Sequence, residues 1–169
     1  MPANLIGMRI LPDQLLIVFG AAPLPFNENR CRDRFAAMIE PELGRFGVLR
    51  ITEADMPRSK RADLALAKGA MHQPMEVKGQ WIDDVWDAAT GQLDRQYLID
   101  WRSEGRGIYL VLWFGTVRAD SGRRLKVHPD AHPAPADKEE MRRIIIDRIP
   151  ASRRDRIDVV VLDLCSGRK

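Results

Sequence analysis

Ile108-Tyr109-Leu110-Val111-Leu112-Trp113-Phe114 is an uninterrupted apolar run closed by Gly115. A strand with one wet face alternates apolar and polar side chains; a strand without alternation has apolar cover on both faces. The run predicts a central strand, and with it a sheet that carries helices on both sides. Every other segment has to be placed around that sheet.

Upstream, Val48 to Thr52, Ala62 to Ala67 and Pro74 to Val77 are short strand-like runs bounded by Gly, Pro or charged residues, a pattern that fits a three-stranded meander. Lys68-Gly69 supplies the turn between the last two. Before them, Cys31, Phe35, Met38 and Ile39 recur at helical spacing between about Glu28 and Gly44, with Pro41 expected to kink or divide the segment. After them the period changes: Ile82, Val85, Trp86, Ala89, Leu93 and Tyr97 return at three- and four-residue intervals, which predicts an amphipathic helix over 82–99 with Gln92 and Gln96 on one flank. Asp137, with Glu140 three residues on, reads as the capping box of a last helix whose Met141, Ile144, Ile145 and Ile149 face inward. Ile157 to Leu164 closes the sheet. The expected class is α/β, a mixed sheet flanked by helices in the order helix, three strands, helix, strand, helix, strand. At 169 residues this makes one domain with its core at 28–164, and 1–27 form an N-terminal extension in which a short strand near Leu15 to Phe19 is ended by Pro23 and Pro25.

Composition excludes several classes. Apolar residues make 45% and charged residues 30% of the chain, a globular balance. The apolar run after Asp13 is too short to span a membrane and poorly flanked for a signal peptide, so the cytoplasm is the expected compartment. Cys31 and Cys165 stand far apart with no Cys-x-x-Cys pair, which indicates neither a zinc ribbon nor a disulfide framework. His128 and His132 are four apart, but Pro129 and Pro133 prevent the helix that would align them as ligands. Trp86 and Trp113 fall on apolar periodic positions and are expected in the core, while Trp81 and Trp101 stay open. Charge is uneven: residues 118–156 carry eleven Lys/Arg against seven Asp/Glu, whereas 1–117 carry fourteen against fifteen. A basic segment beside an acidic site suits a phosphodiester substrate; it also suits an ordinary solvated helix and loop.

The acidic site is Asp63 on one strand and Met75-Glu76-Val77-Lys78 on the next. At period two Glu76 and Lys78 share a strand face while Met75 and Val77 take the other. Two strand-borne carboxylates suit a hard divalent cation, and a lysine two residues on can reach a phosphate or an attacking water. A bare Glu-x-Lys is common by chance in so charged a chain. Asp63 before it, Gln92 on the following helix and the order of elements give it weight.

With Ala62-Asp63-Leu64, Pro74-Met75-Glu76-Val77-Lys78, Asp84-Val85-Trp86, Gln92-Leu93 and Gly107 to Gly115 in that order, residues 28–164 resemble the PD-(D/E)xK superfamily of restriction-endonuclease-like nucleases, and within it a bacterial subgroup found at the ends of multidomain proteins of defence against foreign DNA. The resemblance implies a magnesium- or manganese-dependent deoxyribonuclease, with RNA as the other substrate class, in association with a larger defence protein. It implies that Asp63 and Glu76 ligate the metal with the Val77 carbonyl as third ligand, that Lys78 activates water and offsets phosphate charge, and that Gln92 orients water, lysine or phosphate. Exonuclease-like branches follow the glutamine by a tyrosine four residues later; here Gln96 holds that place and Tyr97 comes one residue late. Some members add an acid from the first helix, for which Glu40 and Glu42 are the candidates. Two other classes fit the same residues. One is a catalytically inactive domain binding nucleic acid through Arg123, Arg124, Lys126, Arg142 and Arg143, and the other is a protein-interaction module.

Overall fold

The computed structural model describes residues 16–19, 22–57, 60–115 and 122–165; Asp13, Leu15 and Arg118 lie outside them. Five strands form one mixed sheet in sequence order: β3 (Leu49–Met56), β4 (Lys60–Lys68), β5 (Met71–Gly79), β6 (Gly107–Trp113) and β7 (Ile157–Asp163). The pairs β3–β4 and β4–β5 are antiparallel, and β5–β6 and β6–β7 are parallel. The apolar run forms β6, and every one of its residues is buried. Gly69, at φ 59°, makes the tight turn between β4 and β5. A separate antiparallel pair, β1 (Leu16–Phe19) and β2 (Ala22–Pro25), precedes the sheet. Pro23 and Pro25 do not end a strand there; they lie within β2, where a two-stranded ribbon leaves one edge without a partner for the missing N–H.

Two cores sandwich the sheet. Helix α1 (Glu28–Arg45) packs Cys31, Phe35, Ile39 and Leu43 against Leu64, Met75, Val77, Ile108, Leu110 and Leu112. On the other face Val85, Trp86, Leu93 and Tyr97 join Met141, Ile144 and Ile145 of α2 (Lys138–Arg148) over Tyr109, Val111, Val159 and Val161. Asn27 caps α1 by accepting from the Arg30 N–H, and Asp137 caps α2 by accepting from the Glu140 N–H at 2.8 Å. Pro41 does not divide α1, which runs through it to Arg45 with Ile39 and Leu43 anchored on either side.

The helix expected over 82–99 is the main departure. Residues 81–87 are turns and a bend, held by the Tyr109 hydroxyl donating to the Val85 carbonyl at 2.6 Å and the Trp86 indole N–H donating to the Lys126 carbonyl. Helix begins only at Ala88, and Ala89–Tyr97 is a π-helix, continued by an i to i+5 bond from the Leu98 N–H to the Leu93 carbonyl.

One local distortion positions the site. Glu53 has φ 47°, and the β3–β4 ladder omits the pair it would make with Asp63. Burial changes face on both strands at that point: Ile51 and Ala54 serve one core, as do Ala62 and Ala65, although each pair is three residues apart. The β4–β5 ladder stops at Leu64 opposite Met75, while β5–β6 continues to Gly79 opposite Leu112. Residues 76–79 of β5 therefore have a strand on one side and an opening on the other. No described helix is long and apolar enough to cross a membrane.

Candidate active site

The opening between β4 and β5 is closed by carboxylates. A strand edge without a partner leaves backbone N–H groups that need acceptors. Asp63 Oδ2 accepts from the Val77 N–H at 2.9 Å, and Glu28 Oε2, from the first turn of α1, accepts from the Gly79 N–H at 2.7 Å. Within a strand the N–H and C=O of one residue point to the same side, so the Val77 carbonyl faces this opening too. Glu76 and Lys78, on the face toward the π-helix, pair at 2.9 Å between Oε1 and Nζ, both side chains nearly inaccessible. Lys78 Nζ also lies 3.6 Å from Asp84 in the turns after β5. Arg32, one turn along α1 from Glu28, places its guanidinium 3.4 Å from Asp63 Oδ1 and 2.9 Å from Asp33.

Glu76, Asp84 and Glu28 thus surround the Lys78 ammonium, and Asp33 and Asp63 the Arg32 guanidinium. Burial first, and the Asp63 charge second, push the Glu76 carboxyl up to about 7, against the pull of Lys78. Burial also raises Glu28, which the Gly79 N–H and Lys78 only partly offset. Lys78 is desolvated as well, yet Glu76, Asp84 and Glu28 outweigh that loss and hold its pKa above the ordinary lysine value. Glu76 Oε2 is buried with no hydrogen-bond partner, and so is Gln92 Oε1. Two orphaned acceptors side by side with a carboxylate cluster are the environment a divalent cation and its water fit, since each costs free energy while unmade.

Tyr97 completes the set. In an α-helix five residues after Gln92 would fall off its face, but a π-helix closes its ring at i+5, so Gln92 and Tyr97 sit one turn apart. Burial first, and then the charges of Glu76 and Asp63, hold the Tyr97 phenol protonated far above neutrality, against a smaller opposing pull from the Gln92 amide. The one-residue offset in the sequence is thereby absorbed by the helix type.

Each residue expected from the sequence, Asp63, Glu76, Val77, Lys78 and Gln92, lies at or beside this opening. Glu40 and Glu42 do not: they pair with Arg50 and Arg45 at the exposed far end of α1. The α1 acid that reaches the end of β5 is Glu28, which the sequence signals only as the first residue after the Asn27 cap. Arg32 carries no sequence signal of its own, and Asp84 is marked only as part of the Asp84-Val85-Trp86 stretch. Of the basic residues after 118, Arg142 donates to the Val159 carbonyl, Arg143 lies near Glu140 and Asp147 on α2, and Arg123 stands over the Trp81 ring. Although a turn brings the His128 and His132 rings to 4.8 Å, Arg148 lies against His128 Nε2 and binds Asp130. Among the described residues no three His, Cys, Asp or Glu side chains already form a metal-holding group. Cys31 is buried and Cys165 exposed. No protein-family model, curated protein or solved structure matches the chain.

Proposed function

We propose that the chain is a metal-dependent nuclease of the PD-(D/E)xK kind that hydrolyses DNA phosphodiester bonds, in the setting of defence against foreign DNA. The observation that carries the reading is the opening beside β5, where Asp63 binds the Val77 N–H and acts electrostatically on Glu76, Glu76 pairs with Lys78, and Glu76 and Gln92 each hold a buried, unsatisfied oxygen. Magnesium or manganese held by Asp63, Glu76 and the Val77 carbonyl would polarise the scissile phosphate and lower the pKa of a bound water.

The chain's own groups divide the remaining work. Lys78, kept charged by Glu76 and Asp84, neutralises charge developing on the phosphate and orients the attacking water. Gln92 Oε1 would accept a hydrogen bond from that water and orient it. Tyr97, held protonated, is a potential donor near Glu76. Glu28 keeps the end of β5 in place through the Gly79 N–H.

Supercoiled and linear DNA incubated with magnesium or manganese provides the test. Wild type should cleave, and Asp63→Ala, Glu76→Gln and Lys78→Ala should each lose roughly 10²–10⁴-fold. Equal cleavage by wild type and all three variants removes the site. One observation favours a second reading, a catalytically silent relative that binds nucleic acid: Arg32 and the Val77 N–H already occupy both oxygens of Asp63. Salt-sensitive DNA binding without metal-dependent cleavage selects it.

A further inference from the structure

Three guanidinium groups stand over aromatic rings. Arg30 and Arg34, one turn apart on α1, hold their guanidinium carbons 3.9 Å and 4.5 Å from the ring centre of Phe26. Arg123 stands 4.6 Å over the ring of Trp81. Phe26 and Trp81 are both buried members of the α1-side core, so the rings are fixed supports. A guanidinium meets a phosphate bidentately through its planar N–H fork.

The three belong to one region. Arg34 and Arg123 both act electrostatically on the Cys31 thiol, which lies between Arg30 and Arg34 in the chain. Arg123 is set there by its neighbours: the Gln80 amide donates to the Arg123 carbonyl and to the Gly115 carbonyl at 3.0 Å each, and the Gln80 carbonyl accepts from the Lys126 N–H. Gln80 follows Gly79, whose N–H is bonded to Glu28 in the same helical turn as Arg30. The basic strip is thus tied through two adjacent residues to the end of the strand that carries Glu76 and Lys78.

We infer that Arg30, Arg34 and Arg123 form a track for the sugar-phosphate backbone of DNA, which leads the strand to the opening between β4 and β5. The inference rests on the nuclease reading for what happens to the strand, but not for its binding. Phosphate contacts of this kind fix register and carry no sequence information. They set the salt dependence of binding, because each neutralised phosphate releases condensed counterions.

Affinity is measured by anisotropy with fluorescein-labelled single-stranded and duplex DNA over a salt series, without divalent metal. The proteins compared are wild type, Arg30→Ala/Arg34→Ala/Arg123→Ala, the matching triple Lys variant, and Lys138→Ala/Arg143→Ala on α2. The Ala triple should bind roughly tenfold or more weaker at moderate salt, and its log–log salt slope should fall by about one per arginine on duplex. The Lys triple, which keeps the charge on the same stems, should retain most of the slope; its recovery separates lost charge from lost folding. Unchanged affinity and slope in the Ala triple, or an equal loss in the α2 pair, overturns the track. Hydrolysis of bis(p-nitrophenyl) phosphate by wild type, a substrate too small to use the strip, reports the chemistry of the opening separately. Loss of DNA binding in the Ala triple with no phosphodiester hydrolysis by wild type leaves the track and removes the nuclease; hydrolysis with no arginine-dependent binding does the reverse.

Discussion

Glu76 is poised near neutrality because burial and Asp63 disfavour its charge more than Lys78 favours it. Its folded pKa, about 7, stands above the ordinary 4.5, so between those values the folded chain holds a proton that the unfolded chain has lost. Stability from this group is therefore full below pH 4.5 and is lost as pH rises through about 7. The shift corresponds to roughly 3 kcal/mol between the two limits. Chemical denaturation of wild type and Glu76→Gln across that range should show wild type falling by up to this amount relative to the variant; parallel pH curves would mean that Glu76 is not perturbed. A second residue-scale prediction concerns Gly79. A Cβ there would lie 2.6 Å from the Trp81 ring, a rigid neighbour that cannot turn away like the end of a flexible chain. Gly79→Ala should cost about 1–3 kcal/mol by overpacking, read as a lower denaturation midpoint, and Trp81→Leu should relieve it in the double variant.

Among the elements, the π-helix decides how the site is assembled. A π-turn can be viewed as an α-turn with one residue added, so removal of the exposed Arg95 should let Gln92 and Tyr97 meet at the α-helical spacing of four. The shortened chain should stay folded by circular dichroism and keep metal-dependent cleavage within about tenfold, whereas Tyr97→Phe should lose more than that. Loss of activity on removing Arg95 together with an active Tyr97→Phe would show that Tyr97 plays no part. The same helix explains what the sequence left unread. Seven apolar residues in a row marked β6 because burial on both faces leaves no alternation to misread. The strands around the site were legible as runs, and Asp63, Glu76 and Lys78 with them, though β3, β4 and β5 extend beyond their apolar centres where charged residues keep the ladder. Helix type is different: apolar spacing of three and four residues suits an α-helix, and nothing in Gln92 to Tyr97 announces an i+5 ring. Glu28 was hidden for a related reason. Which end of α1 meets the end of β5 is a tertiary fact, and periodicity places Glu28, Glu40 and Glu42 on one helix without saying which of them reaches Gly79.

Across the whole molecule, two hydrophobic cores hold one sheet rigidly while its margin between β4 and β5 is left open and acidic. Glu28, Asp63, Glu76 and Asp84 act on one another there, so the fold carries like-charge repulsion where the β4–β5 pairing stops. A cation that binds only the folded opening should relieve that repulsion and stabilise the chain by mass action, about 2.7 kcal/mol at a hundred times its dissociation constant. For a chain of this size that is a rise of roughly 5–10 °C in Tm. Magnesium or manganese should therefore raise the Tm of wild type, and the shift should vanish in Asp63→Asn. It should also shrink as pH falls below about 7, because a proton on Glu76 competes with the metal. Sodium at the same ionic strength supplies the control, since screening alone acts on every exposed pair and does not depend on Asp63. Equal shifts with sodium, or an undiminished shift in Asp63→Asn, would place the stabilising cation elsewhere on the molecule and take the metal role from the β4–β5 opening.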